Sequence, residues 1–291
     1  MDFKRLSVDD VNLIRPFFES SGLTACDYSV GGVFLWRDFF DTHYAITDDT
    51  LVFRYKYFGG IDSFSVPIGK SCSSVYSAIS KLGNETVNFC AVPSERIDCI
   101  KKAYSNFEIS ATASRDWFDY LYEPQSFITF SGKKFSAKRN HINKFRSLYS
   151  DWSVKEMTED DIPNIRDFLS TLPSNDESEL SVAESSALNE LLYNWSIYRF
   201  KGLILFVNGK IAAFSVGDII GDVLFVHFEK ANTEITGSYT VIANEFARAY
   251  ANGVKFINRE EDMGLLGLRQ SKLSYNPVAF SEKYDITVKL K

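Results

Sequence analysis

The sequence predicts a mixed α/β protein built as two similar halves, and three observations carry that expectation. First, Ser7-Val-Asp-Asp-Val-Asn-Leu-Ile-Arg-Pro-Phe-Phe18 matches Thr158-Glu-Asp-Asp-Ile-Pro-Asn-Ile-Arg-Asp-Phe-Leu169 at five of twelve positions, half a chain length away. Second, the order strand, strand, helix, strand, helix, strand reads through the first half and recurs in the second. Third, 227–277 reads as strand, helix, strand, with charges gathered at the carboxyl end of the second strand. Open α/β sheets hold ligands at that edge.

Each matched segment opens with a Ser/Thr cap ahead of acidic residues, which suits a helix N-terminus. Strands follow at 33–40, 44–46, 51–57 and 63–66, turned by Asp48-Asp49 and Gly59-Gly60. Next come a helix at 73–82, a strand at 86–90, a helix at 94–104 after Pro93, and a strand at 117–122 that closes the half. In the second half 202–207 and 210–216 form a hairpin through Asn208-Gly209, a type I′ signal. The polar stretch 173–186 reads as an exposed loop, or a lid over a site. The domains expected are 1–125 and 150–291, joined by a basic helix over 126–149.

That connector holds Lys133, Lys134, Lys138, Arg139, Lys144 and Arg146 within fourteen positions. Read as a helix, its apolar stripe is Phe135, Ile142, Phe145 and Tyr149. Lys138 falls within roughly 20° of the stripe's centre and Arg146 within about 60°. A lysine on a packing face either snorkels or meets an anion. The helix is therefore a solvated connector, a nucleic-acid-binding patch that would fit a tRNA, or both.

A hydrophobic content of 45%, with 25 Phe and 15 Tyr, supplies a large core and excludes disorder. The net charge of -6 excludes bulk attraction to nucleic acid or anionic membrane, so a polyanion must be held by a local patch. No apolar run reaches the roughly 18 residues of a spanning helix. The start, Met1-Asp2-Phe3-Lys4-Arg5, has no apolar signal region, so a cytoplasmic location is expected. Cys26, Cys72, Cys90 and Cys99 lack C-x-x-C spacing and the three histidines are scattered. Buried reduced thiols are expected, with no metal site.

Within 223–277, Phe225, His227 and Glu229 share a strand face by simple alternation. A turn at Gly237 leads to a helix over 238–251 with Ile242, Phe246 and Ala249 on one stripe, closed by Gly253. A strand at 254–258 ends in Arg259-Glu260-Glu261-Asp262. Gly264 and Gly267, read as turn and close-packing residues, lead into a short helix with Arg269 and Lys272 on one face.

The pieces G-K-K-F-S-A-K-R-N-H-I-N-K-F, H-F-E-K-A and N-R-E-E-D-M-G-L-L-G-L-R-Q-S-K-L-S-Y-N-P together resemble a bacterial family of unassigned function. That family is similar to the C-terminal domain of phosphatidylglycerol lysyltransferase, and the resemblance runs over 115–284. It implies two tandem GNAT-type acyltransferase domains, as in the aminoacyltransferases that build peptidoglycan cross-bridges. It also implies aminoacyl transfer from aminoacyl-tRNA to an amine or hydroxyl. GNAT enzymes that use acetyl-CoA hold its pyrophosphate at R/Q-x-x-G-x-G/A, through backbone N–H groups at a helix start. Here the corresponding stretch is Glu234-Ile-Thr-Gly237-Ser-Tyr239, acidic at the first position and aromatic at the last. That places acyl-CoA behind aminoacyl-tRNA as donor, and fits equally a domain without a donor. The lysyltransferase's membrane-embedded half has no counterpart, which counts against a lipid acceptor.

Acyl transfer needs a base and donors for the developing oxyanion. Glu229 and His227 are the base candidates, and His227 fits a satisfied core histidine as well. Substrate-binding candidates are Lys230 and Tyr275 from the resembling pieces, Gly237 and Tyr239 from the turn, and Asn258, Glu260, Asp262, Arg269 and Lys272. The carboxylates would grip an aminoacyl ammonium and the cations a phosphate. The same group also reads as a structural ion-pair cluster. His43 and His141 have no nucleophile signature near them. The expected function is therefore acyl transfer from aminoacyl-tRNA to a small-molecule or lipid-headgroup acceptor. A CoA-dependent N-acyltransferase and a non-catalytic ligand-binding protein on a GNAT scaffold are the alternatives.

Overall fold

The computed structural model describes residues 1–57, 60–83, 85–173 and 178–290. Its strands are β1 (Lys4–Arg5), β2 (His43–Thr47), β3 (Thr50–Tyr57), β4 (Ile61–Phe64), β5 (Ile68–Gly69), β6 (Thr86–Pro93) and β7 (Glu108–Thr112). There follow β8 (Asp119–Tyr122), β9 (Trp152–Glu156), β10 (Lys201–Val207), β11 (Lys210–Ile220), β12 (Val223–Ala231), β13 (Phe256–Asn258), β14 (Ala279–Ser281) and β15 (Lys283–Lys289). They form two sheets, one ordered β1-β2-β3-β4-β6-β15-β7 with β5 against β3, the other β9-β10-β11-β12-β13-β8-β14.

The two sheets repeat one plan. An antiparallel run of four strands meets a parallel join, β4 to β6 in the first and β12 to β13 in the second. A parallel join needs a crossover, and helices Cys72–Ser80 and Ser238–Tyr250 lie within the two connections. The likeness reaches single atoms at the helix starts. Ser7 N–H and Oγ donate to Asp10 Oδ2 at 3.0 and 3.1 Å, and Thr158 N–H and Oγ1 donate to Asp161 Oδ2, both at 2.9 Å. The other carboxylate oxygen accepts from Lys4 at 2.8 Å and from Lys155 at 2.6 Å. Both are capping boxes, each with a lysine six residues upstream.

By contacts the chain divides into one unit of Met1–Asp119, Glu261–Leu265 and Phe280–Lys291, and another of Tyr120–Glu260 and Leu266–Ala279. This interleaving differs from the expected division at 125 and 150. The strand beyond each parallel join comes from the far half of the sequence: β15 pairs β6, and β8 pairs β13. Thus 119–122 does not close the first sheet. A strand's apolar pattern shows that it is buried, but its partner is set by long-range backbone pairing. The basic helix, Ser136–Leu148, is likewise no bare connector, because Ile142 and Phe145 sit in the second unit's core with Val241, Ile242 and Phe246.

Two other local expectations give way. The apolar run at 33–40 is a helix end and turns, not a strand. Ser29 Oγ accepts the Gly32 N–H at 3.0 Å and starts the helix Val30–Phe34, after which Arg37 Nη1 donates to Phe34 O at 2.8 Å. Short apolar runs do not distinguish the two states by periodicity. Within 173–186, the part from Glu179 belongs to helix Glu179–Tyr193, capped by Ser178. Residues 174–177 of that expected loop, and Gly59 of the Gly59-Gly60 turn, lie outside the described residues. No helix among the described residues is long and apolar enough to cross a membrane.

Candidate functional site

The second unit holds a pocket where β12 and β13 part. They pair only from Val223 to Phe225 against Phe256 to Asn258, while β12 runs on to Ala231. The opening is lined by Leu224, Val226 and Glu229 of β12, by Ile257 and Arg259, by Ala243, Phe246 and Ala247 of the crossover helix, and by Phe127. Its empty space of about 210 Å³ includes part that is open to solvent, so the enclosed part is small. It suits a small group, not a whole cofactor.

A β-bulge decides which side chains reach it. Val216 pairs with Phe228 and Gly217 with Val226, so His227 is the extra residue. A Cβ at Gly217 would stand 2.0 Å from Phe225 O, so the bulge requires glycine there. Beyond it the alternation reverses. Leu224, Val226 and Glu229 face the pocket, while Phe225 and His227 lie on the opposite face with their rings 6.3 Å apart and nearly parallel. The expected shared face of His227 and Glu229 is therefore corrected: an extra residue in a strand moves all later side chains to the other face.

Glu229 meets Arg259, whose Nη2 donates to Oε1 at 2.7 Å, with about a tenth of either side chain exposed. The guanidinium lies 4.8 Å from the centroid of the Tyr275 ring and 5.6 Å from that of Phe127. Those rings are themselves stacked at 5.0 Å. Tyr275 is an electrostatic and side-chain hydrogen-bonding partner of the guanidinium, while Arg259 Nη1 has no well-formed hydrogen bond among the described residues. Lys138 approaches the same tyrosine: its Nζ is 3.4 Å from the ring centroid and donates to Ser274 Oγ at 2.7 Å. Burial, reinforced by Arg259, lowers the Lys138 pKa to about 8. Lys272 Nζ donates to Arg259 O at 2.6 Å and so fixes the chain where β13 ends. Burial raises the Glu229 pKa, opposed by Arg259, Lys272 and Lys138.

On the opposite face, His227 Nε2 lies 2.8 Å from Asp218 Oδ1 and Nδ1 lies 2.7 Å from Glu260 Oε1. Burial alone would neutralise this imidazole, but Asp218 and Glu260 outweigh it and raise its pKa to about 10. An imidazolium donating from both nitrogens has no lone pair to accept a proton. Glu260 adopts a left-handed conformation (φ 56°), and its N–H donates to Asn258 Oδ1 at 2.6 Å. That local turn sends Glu260 toward His227 while Arg259 points into the pocket.

The other expected residues are dispersed. Lys230 is held by both oxygens of Glu184 at 2.9 Å. Gly237 (φ 88°) packs on the basic helix, where a Cβ would stand 2.9 Å from His141 O and 3.1 Å from Phe145 Cβ. Tyr239 is 40% exposed, on the first turn of its helix. Ala249, expected on that helix's apolar stripe, is exposed, and Val241, Ala243 and Ala247 are buried there instead. Asp262 belongs to the first unit, fully buried, accepting the Gly264 N–H at 3.0 Å and facing Arg115 at 3.7 Å. Arg269 is half-buried on helix Leu266–Leu273; Gly267, in the same helix, has open space beside it, so close packing does not explain it. Lys133, Lys134, Lys144 and Arg146 are exposed, whereas Arg139 turns in to donate to Phe130 O and to Gly132 O. Sequence reasoning did not select Arg259, Asp218, Ser274 or Glu184. For Arg259 the one available signal was its place at the end of β13.

In the first unit, Cys26, Asp119 and Glu261 offer ligand atoms within 4.8 Å of one another, the one such group among the described residues. Lys283 already supplies the cation there, with Nζ 2.8 Å from both Asp27 and Asp119, 3.3 Å from Glu261 and 3.5 Å from Cys26 Sγ. Burial still raises the Asp119 pKa to about 7, against the pull of Lys283. All four cysteines are free thiols.

Residues 18–287 match the family described as phosphatidylglycerol lysyltransferase, C-terminal. A conserved protein of unknown function from Bacteroides thetaiotaomicron is 34% identical, covers 100% of both chains and superimposes with a TM-score of 0.91. The C-terminal domain of a putative lysylphosphatidylglycerol synthetase from Agrobacterium fabrum, 14% identical, covers 97% of this chain and 92% of its own with a TM-score of 0.63. An uncharacterised protein of Mycoplasmoides gallisepticum is 28% identical over 177 residues, 58% of this chain and 56% of its own length. The fold is thus that of the C-terminal domain of that putative lysylphosphatidylglycerol synthetase, with the two mixed α/β sheets that the sequence predicts.

Proposed function

The chain belongs to the phosphatidylglycerol lysyltransferase C-terminal family, and we propose that its second unit transfers an aminoacyl group from aminoacyl-tRNA to an amine or hydroxyl acceptor. Arg259 carries the reading. It is a buried cation, engaged by Glu229 and Tyr275 but with no well-formed hydrogen bond at Nη1, beside a small apolar pocket at the parting of two parallel strands. During acyl transfer the carbonyl oxygen gathers negative charge, and a donor fixed in a dry site stabilises it at no cost of reorganisation. Glu229 holds the guanidinium in place. Lys138, with a pKa near 8, is matched to removing the acceptor's proton at neutral pH. As the new N–C or O–C bond forms, the ester bond to the tRNA breaks and that proton passes to the leaving ribose oxygen. The exposed Lys133, Lys134, Lys144 and Arg146 supply phosphate contacts. The packing of Gly237 on His141 and Phe145 leaves little room for a CoA pyrophosphate at that turn.

Filter binding of charged tRNA, paired with a transfer assay, tests this. Four phosphate contacts predict a slope of about -3 for log affinity against log salt. Reversing Lys133, Lys134, Lys144 and Arg146 to Glu should remove binding. Arg259→Met should keep binding and lose transfer. Salt-independent binding, or transfer undiminished in Arg259→Met, refutes the proposal. A non-catalytic ligand-binding role is the second reading, favoured by the closed Glu229–Arg259 pair, and it predicts ligand retention without turnover.

A further inference from the structure

We propose that β7 (Glu108–Thr112), the last strand of the first sheet, pairs antiparallel with the same strand of a second copy of the chain. β7 has β15 on one side, and among the described residues no strand lies beyond it. Its register on β15 sets its faces. Val288 stands opposite Ile109 and Ile286 opposite Ala111, and both β15 residues are buried. Residues directly opposite share a face, so Ile109 and Ala111 continue the core side of the sheet. Alternation adds Phe107 and Ala113 to that side. It is uncovered at the edge: Phe107 is 41% exposed, Ala111 and Ala113 are exposed, and Ile109 is half-buried. Glu108, Ser110 and Thr112 occupy the other side, all exposed.

An edge strand presents a row of N–H and C=O groups ready to pair, and edges are ordinarily blunted by shortness, lysine, proline or a bulge. The other sheet ends follow that rule. β1 has two residues and β14 three, while β9 carries Lys155 and Glu156. β7 has five residues in unbroken register, with no lysine or proline. Its one charge, Glu108, is met by Lys289 at 2.8 Å. The strand is also complementary to itself. In an antiparallel pair centred on Ser110, Ile109 faces Ala111 of the second copy and Phe107 faces Ala113, a large apolar side chain on a small one each time. Glu108 faces Thr112, so no like charges meet. That match selects a second copy over an unrelated extended segment. The contact is isologous and closes at two chains. It is small, of the class below about 1,200 Å² that associates transiently, and it stands whether or not aminoacyl transfer occurs.

Sedimentation velocity over about 1 to 500 µM, the range in which so small an interface associates, tests the pairing. A monomer in exchange with a dimer is expected, the dimer fraction rising with concentration. Ser110→Lys and Ser110→Glu lie at an exposed position. Each should raise the dissociation constant about fivefold or more, because the new charge meets its own copy across the axis. Mixed one to one, the two variants should associate more tightly than either does alone, since the lysine then faces the glutamate. A variant that had merely misfolded is not rescued in this way. Ser153→Lys, at an exposed position of the other five-residue edge strand, β9, should leave the dimer unchanged. A native protein that stays monomeric throughout overturns the proposal and would leave this edge to a segment of another protein. A dimer that neither Ser110 variant weakens overturns it too, as does a mixture no tighter than its separate components. So does assembly that runs on past two chains, which an isologous pair does not allow.

Discussion

Taking apart the Glu229–Arg259 pair one side at a time should have unequal consequences. Both side chains are about nine-tenths buried and joined at 2.7 Å. Removing one partner of a buried pair costs about 3–5 kcal/mol, mostly because the survivor is left charged in a poor solvent. Arginine cannot escape by losing its proton. Glu229→Leu should therefore lose the full amount at every accessible pH. Glu229 can escape: its pKa is already raised by burial, so in Arg259→Met it takes up a proton. That variant should lose less, and recover as the pH falls. Glu229→Leu/Arg259→Met should lie within roughly 1 kcal/mol of the native protein, since an apolar replacement of a buried pair is often neutral. The coupling free energy is then about 3 kcal/mol. Urea unfolding followed by tryptophan fluorescence measures it, with Trp152 and Trp195 reporting from the second unit. A coupling below about 0.5 kcal/mol, the size of a solvated surface pair, would show that the pair is not desolvated. A double variant that is stable and still transfers would remove the pair from the mechanism.

Two further outcomes follow from the geometry. His227 is held protonated, its pKa raised from 6.5 to about 10. Its stabilising contribution is complete below pH 6.5 and is lost as the pH rises through 10. The melting temperature should fall across that window, and His227→Gln should flatten the profile; an unchanged alkaline loss in the variant counts against the Asp218–His227–Glu260 arrangement. Ser7→Ala and Thr158→Ala should each cost about 1 kcal/mol, the usual value of such a cap. If hydrogen exchange shows that only one of the two helix starts is weakened, the caps are not equivalent.

Much of the plan was legible in the sequence because it rests on local rules. The Ser7 and Thr158 helix starts, the Asn208-Gly209 hairpin and the Gly237 and Gly253 helix boundaries are each set by a few neighbouring residues. So is the placement of Lys138 on the packing face of the basic helix, since 3.6 residues per turn fix that face. Tertiary structure alone decided what depends on distant backbone. The bulge at His227 exists because Gly217, on the paired strand, admits Phe225 O, and no alternation rule within β12 reveals it. That single extra residue separates Glu229 from His227, sends one toward Arg259 and the other toward Asp218 and Glu260, and so determines which charges share a pocket. The reciprocal placing of β8 and β15 has the same origin. A strand's sequence records how deeply it is buried, whereas its neighbour depends on which backbone edge is left to pair.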